Sequence, residues 1–276
     1  RQEKFAEGTE GILWKKDILV PFTERRAIEM NLKILETSLN LRIETKLGKT
    51  IKDYKHCEEV GKIQYEQCAD IIANVEDMNC DATDYKRYLK EYNAIEALED
   101  YQERGVSCYV KNTLAVEKIS SFSKPHFLHV KITREDKKIN LIIFRVLVSD
   151  SSIEDFKDRK KQFDKVIKYV DDLEDKDNLI LTGDWNHGVI NENGIYSKEC
   201  SRYYFNYQYI VRSLEAIDLT LIPIDGFSYK NYMKIDHLAV SSSIAVEKAD
   251  YVDLYKDKYA QIGIPDHSCI CAEIVI

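Results

Sequence analysis

The chain has 276 residues, of which 44% are hydrophobic and 32% charged, and its formal net charge is −8. This length and composition allow a large buried core and exclude an intrinsically disordered chain. The negative charge excludes a protein that coats DNA through many phosphate contacts, because such binding needs an excess of lysine and arginine. An acidic balance still permits an enzyme that acts on nucleic acid, since carboxylates that hold a metal add negative charge locally.

Cysteine usage and hydropathy indicate the cellular setting. Seven cysteines are scattered along the chain without a CxxC pair. This pattern favours free, mostly buried thiols in a reducing compartment over a disulfide framework or a zinc site. No stretch approaches the ~20 apolar residues that cross a bilayer, and the first residues are charged throughout, unlike a signal peptide. We therefore expect a soluble, cytoplasmic protein without stable membrane association.

The domain organisation is simple. No linker rich in proline, glycine or serine divides the chain, and no repeat is present. We expect a single domain over residues 32–276, preceded by an N-terminal extension, residues 1–31, whose role the sequence does not indicate.

Strand and helix patterns can be followed along the N-terminal half. Residues 32–41 are strand-like, and the polar residues 50–69 are helix-prone. An apolar run over 69–76 then ends in the carboxylate of Glu76. The charged, tyrosine-rich stretch 84–103 predicts a helix followed by a loop. Three further strand patterns follow, at 105–110, 127–132 and 139–148.

In the C-terminal half, residues 153–173 have the clearest helical pattern, with an apolar stripe at helical spacing and two serines, Ser151 and Ser152, before it as candidates for the cap. Several strands follow one another without a helix between them, which favours packed mixed sheets over a parallel doubly wound sheet. The remaining predicted elements are strand 179–182, helix 203–217 and strands 235–241 and 269–276.

Polar groups lie at the ends of these apolar strands. One strand leads into Gly183-Asp184-Trp185-Asn186, where the glycine lets the chain turn so that the acid and the amide project together. A later strand begins at Asp236, the last one is preceded by Asp266-His267, and Glu76 ends an earlier one. A carboxylate at such a position is costly to bury unless it is paired or metal-bound. Together, Asp, Glu, Asn and His suit Mg²⁺ or Mn²⁺.

Each of these residues also has a structural interpretation. Asp184 could cap a helix after a strand-to-loop turn, Asp266 could be a surface residue, and Glu76 could be a solvated loop residue. We expect His237 to follow the alternation of its strand and to pack or face solvent. The functional prediction therefore depends on the ordered set.

Four segments resemble, in the same chain order, motifs of the endonuclease/exonuclease/phosphatase superfamily. They are residues 69–76 (ADIIANVE, similar to DIIALQE), 179–186 (LILTGDWN, similar to VILTGDFN), 234–241 (KIDHLAVS, similar to RIDYILVS) and 265–268 (PDHS, similar to SDH). Each motif is degenerate alone, whereas four in order are specific, and the likeness covers roughly residues 32–276. The resemblance implies an α/β (α+β) four-layered sandwich, in which two packed, mixed, largely antiparallel β-sheets are flanked by helices.

The resemblance also implies a metal site that holds Mg²⁺ or Mn²⁺. Glu76 would be the principal metal-binding glutamate, and Asp266 a second carboxylate on the metal side. Asn40 would be the asparagine of the family's first-strand TWN motif, although Leu39 stands in the place of the tryptophan. A strand-end turn is the alternative role for Asn40.

Catalytic roles follow from the same resemblance. Asp184 would position or deprotonate the attacking water, and Asn186 would orient the phosphate. His267 would contact the scissile phosphate or transfer a proton, and Asp236 would orient its ring.

Arg145 departs from the family pattern, because many members carry His or Tyr at the end of the strand that corresponds to 139–148. An arginine can hold a phosphate bidentately but cannot deliver a proton at neutral pH. Tyr101 and Glu103 lie where pancreatic-type deoxyribonucleases place a tyrosine and a glutamate that supports the histidine, so we assign them to the substrate-binding region. We hypothesise that Glu103 pairs with Arg145 across adjacent strands; the alternative is that Arg145 reaches solvent from an edge.

The leading functional prediction is metal-dependent hydrolysis of DNA or RNA phosphodiester bonds. A lipid phosphodiesterase or phosphoinositide phosphatase of the same superfamily is one alternative, and a non-catalytic binding module is another. The stretches 187–204 and 225–234 mix aromatic residues with lysine and arginine. This mixture suits a nucleic-acid substrate and equally an ordinary tyrosine-rich surface. The sequence names no protein partner.

Overall fold

Two mixed β-sheets pack face to face in the part of the chain that the structure describes. The structure is a computed structural model and describes residues 29–39, 42–44, 50–52, 54–77, 87–97, 105–188, 202–229, 233–255 and 267–276. Within these ranges, only the backbone is described for residues 42–44, 50–52 and 54–58.

The first sheet contains the strands β1 (Asn31–Ser38), β4 (Ile71–Asp77), β5 (Tyr92–Ala97), β6 (Gly105–Lys111), β13 (Ala245–Val252) and β14 (Cys269–Val275). Their order across the sheet is β13-β14-β1-β4-β6-β5. Strands β1 and β4 are parallel, and every other pair in this sheet is antiparallel. Outside this sheet, β2 (Arg42–Glu44) and β3 (Thr50–Lys52) form a short antiparallel ribbon.

The second sheet contains the strands β7 (Ala115–Phe122), β8 (His126–Arg134), β9 (Lys137–Arg145), β10 (Leu179–Asp184), β11 (Leu219–Leu221) and β12 (Asp236–Ser241). Their order is β11-β12-β10-β9-β8-β7. Only β9 and β10 are parallel among these described strands.

Helices cover the outer face of each sheet. Helix α1 (Tyr54–Glu66) packs on the first sheet, whereas α2 (Ile153–Asp171) and α3 (Tyr207–Glu215) pack on the second. Helix α2 begins where the sequence predicts, since the side chain of Ser152 accepts a hydrogen bond from the backbone N–H of Asp155. The predicted four-layered sandwich of mixed, largely antiparallel sheets is confirmed.

The core lies between the sheets because alternate residues of each strand face inward. In β9, Leu141 and Ile143 join the central core, whereas Ile142 and Phe144 face the helices. Burial of each such side chain contributes about 1.5–3 kcal/mol. This alternation determines which side chains at the strand ends point between the sheets.

The prediction of a helix followed by a loop over 84–103 is wrong, because residues 92–97 form the edge strand β5. Three of its six residues are half-buried and two are exposed, so its sequence lacks the apolar alternation of an inner strand. Strands β7 and β13 were not predicted for the same reason, since both lie at sheet edges and are largely exposed.

The cysteines whose side chains the structure describes are free thiols, as the sequence predicts. They are Cys68, Cys108, Cys269 and Cys271. No helix in the described segments combines the length and the apolar character that a membrane crossing requires.

Gly183 provides a test of the local backbone. Its φ is 131°, and a Cβ atom there would lie 2.1 Å from the carbonyl oxygen of Phe144. We expect Gly183→Ala to lower the free energy of unfolding by at least about 3 kcal/mol, because neither the backbone of residue 183 nor that of Phe144 can move aside inside the sheet. Urea denaturation measures this change. The matched control is Gly226→Ala, where φ is also positive but the nearest atom lies 3.9 Å away in a side chain. Equal losses for the two variants would contradict the steric account.

Candidate active site

Three strand ends of the second sheet bring charged side chains together at one edge of the sandwich, which we call the charged edge. Strand β9 ends at Arg145, β10 ends at Asp184, and β12 begins at Asp236. Asp184 and Asp236 are opposite each other in the antiparallel β10–β12 pair, and the parallel strand β9 lies beside β10. All three residues share the strand face that carries core residues such as Ile143 and Leu238. Their side chains therefore point toward the first sheet.

Glu76 reaches this edge from the first sheet through a bulge. The register of β4 shifts between Val75 and Asp77, and Glu76 has a φ of 54°. A left-handed backbone costs a residue other than glycine about 1–2 kcal/mol. The bulge is held on one side by Ser107, which donates a short hydrogen bond to Asp77. It turns the Glu76 side chain into the protein, where 5% of it is exposed.

Arg145 joins the two sheets. One of its terminal nitrogens, Nη2, forms a short ion pair with Glu76 Oε1, and its Nε lies 3.3 Å from Asp184 Oδ2. Only 13% of the arginine side chain is exposed. Burial alone would lower the pKa of Arg145, but the carboxylates of Glu76 and Asp184 outweigh it and raise that pKa. Arg145 is therefore a buried, permanent cation, not an arginine that reaches solvent from an edge.

Asn186 holds the Asp184 carboxylate in place. Its Nδ2 donates to Asp184 Oδ2 at 2.6 Å and to the carbonyl oxygen of Val146 at 3.0 Å. Arg159 fixes the backbone of Asn186 by donating to its carbonyl oxygen at 2.8 Å. Burial and the nearby Asp236 carboxylate raise the pKa of Asp184 to about 7, although His267 and Arg145 oppose them. Asp184 can therefore gain and lose a proton near neutral pH.

Asp236 and His267 form a second charged pair. His267 Nδ1 lies 2.7 Å from Asp236 Oδ2, and both side chains are almost fully buried. The Tyr229 ring packs beside the imidazole, with centroids 4.7 Å apart. Burial alone would lower the pKa of His267, but the Asp236 carboxylate outweighs it and raises that pKa to about 10. The imidazole is therefore cationic at neutral pH, and Asp236 fixes its orientation.

Glu36 is a further residue of the charged edge, and the sequence motifs did not single it out. It is fully buried, and neither carboxylate oxygen has a hydrogen-bond partner. Burial, followed by the Asp236 carboxylate, raises the pKa of Glu36 well above its ordinary value. The alternation of β1 could have revealed it, because Glu36 shares the inward face of Leu32 and Ile34.

His237 faces away from the charged edge and packs, as its strand alternation predicts. Its Nε2 lies 2.8 Å from Nε2 of His187, whose Nδ1 lies 2.6 Å from the carbonyl oxygen of Gly188. A carbonyl can only accept, so His187 carries its proton on Nδ1 and accepts from His237. Burial lowers the pKa of His187 to about 4 and that of His237 well below its ordinary value.

Four of the predicted site residues, namely Asn40, Tyr101, Glu103 and Asp266, lie outside the described residues. Their predicted roles, including the pairing of Glu103 with Arg145, remain predictions. Within the described segments, the structure brings together Glu76, Arg145, Asp184, Asn186, Asp236 and His267.

The oxygen-rich chemistry of this edge suits Mg²⁺ or Mn²⁺, but its arrangement does not. No group of three or more His, Cys, Asp or Glu side chains in the described segments is placed to hold a metal ion. The carboxylate of Glu76, the predicted principal ligand, faces the guanidinium of Arg145. The described residues, as arranged, therefore do not fit a divalent cation.

No family model matches the sequence, and neither does any curated protein. Solved structures do match. An endonuclease/exonuclease/phosphatase family protein from Bacteroides thetaiotaomicron is 14% identical, with a TM-score of 0.57, over 90% of this chain and 98% of that one.

The chain has the endonuclease/exonuclease/phosphatase fold.

Two further structures share this fold. D. rerio TDP2 complexed with a single-strand DNA product is 12% identical, with a TM-score of 0.59, over 88% of this chain and 98% of that one. ANGEL2, a 2′,3′-cyclic phosphatase, is 10% identical, with a TM-score of 0.60, over 90% of this chain and 95% of that one. At these identities the likeness establishes the fold alone, since one fold can carry different sites.

The buried pair of His187 and His237 should make the stability of the fold sensitive to acid. Because the folded pKa of His187 lies below the unfolded value, the unfolded chain binds the extra proton between about pH 6.5 and pH 4. The free energy of unfolding should fall as the pH falls through this window. In His187→Phe, the fall should be smaller by on the order of 2 kcal/mol. Urea denaturation at several pH values measures both slopes, and identical slopes would contradict the assignment.

Proposed function

We propose that this chain hydrolyses phosphodiester bonds and that its substrate is nucleic acid. The observation that carries the proposal is the convergence of two buried cations, Arg145 and His267, with the carboxylates Asp184 and Asp236 at one edge of the sandwich. The shared fold supports it, since the similar structures include one with a single-strand DNA product and a 2′,3′-cyclic phosphatase.

A phosphodiester is a stable anion, so hydrolysis requires positive charge, an oriented water and a proton for the leaving oxygen. Arg145 provides a fixed positive charge with donors suited to phosphate oxygens. His267 provides the second charge. Because Nδ1 is engaged with Asp236, Nε2 is the atom that donates to a phosphate or leaving oxygen.

Asp184 accepts the proton of the attacking water. Its raised pKa makes it a stronger base than an ordinary aspartate, and the pKa remains close enough to neutral for it to be ionised when water attacks. Both amide hydrogens of Asn186 are engaged, one by Asp184 and one by Val146. Asn186 is therefore a positioning residue that keeps the carboxylate aimed.

No step of this proposal requires a divalent cation. The family resemblance in the sequence implies Mg²⁺ or Mn²⁺, so assays should compare each ion with EDTA. A lipid phosphodiesterase remains an outcome of the same assay, because phosphoinositide vesicles can be included beside single-stranded DNA, plasmid and RNA.

Activity should depend on the charged edge. Replacing the base in Asp184→Asn or the imidazole in His267→Gln should lower the rate of oligonucleotide hydrolysis by about 100-fold or more. Rates are measured by gel with end-labelled single-stranded DNA and RNA.

Matched controls exist elsewhere in the same sheet and its helices. Asp164→Asn changes a carboxylate that accepts hydrogen bonds from Tyr209 and Lys160. His129→Gln changes a buried histidine that is hydrogen-bonded to Tyr169. Both controls should keep near wild-type rates. Full activity in Asp184→Asn, or turnover of phosphoinositide but not of nucleic acid, would refute the proposed function.

A further inference from the structure

We infer that Arg145 is the resident cation of the Glu76–Asp184 pair, so that a divalent ion binds Glu76 only after the guanidinium has left. The role of this ion pair in phosphate chemistry rests on the proposed function. The test of the ion pair needs no turnover, so the inference and the proposed function can fail independently.

The geometry assigns the guanidinium to both carboxylates at once. Nη2 contacts Glu76 on the first sheet, and Nε contacts Asp184 on the second. The exposed fraction of the side chain is 13% for Arg145, 5% for Glu76 and 2% for Asp184. Water therefore provides little of the charge compensation that buried carboxylates require, and the arginine provides it instead.

The backbone of Arg145 is fixed, so the guanidinium can leave only by side-chain rotation. Strand β9 lies inside the second sheet between β8 and β10, and Arg145 pairs with His126 in the β8–β9 ladder. The guanidinium cannot lose its proton in the accessible pH range. A dication on Glu76 would therefore face a permanent like charge at close range.

This arrangement changes the charge available for phosphate chemistry. A guanidinium carries one positive charge and donates several hydrogen bonds, whereas a dication carries two charges and accepts oxygen ligands. The carboxylate of Glu76 consequently positions Arg145 for an incoming phosphate rather than serving as a metal ligand.

The test is the affinity for Mn²⁺ in the absence of substrate, measured by electron paramagnetic resonance of the free ion. Arg145→Met should bind Mn²⁺ at least about tenfold more tightly than the wild type, because it removes the guanidinium from Glu76 and Asp184. Lys111→Met is the matched control, since it also removes one cation from a carboxylate, that of Asp70, at the opposite end of β4. Its affinity should equal that of the wild type.

Two further variants keep the inference falsifiable. The double variant Glu76→Gln Arg145→Met should lose the gain. Arg145→Lys keeps a positive charge and guards against a failure of Arg145→Met to fold; it should bind Mn²⁺ only about threefold more tightly than the wild type. The inference is overturned if every folded Arg145 variant binds Mn²⁺ no more tightly than the wild type. It is equally overturned if wild-type binding is tight and is lost in Glu76→Gln.

Discussion

A guanidinium buried between carboxylates from two sheets is the interaction on which the site depends. Glu76 and Asp184 compensate the buried charge of Arg145, and Arg145 compensates the charge of these carboxylates. Removing one member of such a group leaves an uncompensated charge, which typically costs about 3–5 kcal/mol. The ion pairs therefore hold the sheet edges together and, in the same contacts, set the charge that a phosphate would meet.

The rest of the edge is organised around this constraint. The bulge in β4 aims Glu76 at the arginine, Asn186 holds Asp184, and Asp236 orients His267. Each charged side chain is thus fixed by a neighbour before any substrate arrives. Such preorganisation is what electrostatic catalysis needs, because dipoles and charges that are already oriented do not have to reorganise during the reaction.

Much of this architecture can be predicted from the sequence, because inner strands carry apolar alternation and their polar ends stand out against it. Asp184 and His267 were recognisable in this way. Edge strands such as β7 were not, because exposed residues lack the pattern. Glu36 was missed because one carboxylate in a strand resembles a surface residue unless the alternation of its face is followed. The contact of Arg145 with Glu76 could not be predicted, since it depends on how two sheets pack and not on any local sequence pattern.

The most direct measurement is a crystal structure with a single-stranded phosphorothioate oligonucleotide bound, in which anomalous scattering locates the sulfur-labelled phosphates. The account predicts a phosphate at the charged edge, within hydrogen-bonding distance of Arg145 and His267 and facing Asp184. An oligonucleotide whose phosphates all lie away from this edge would contradict the account.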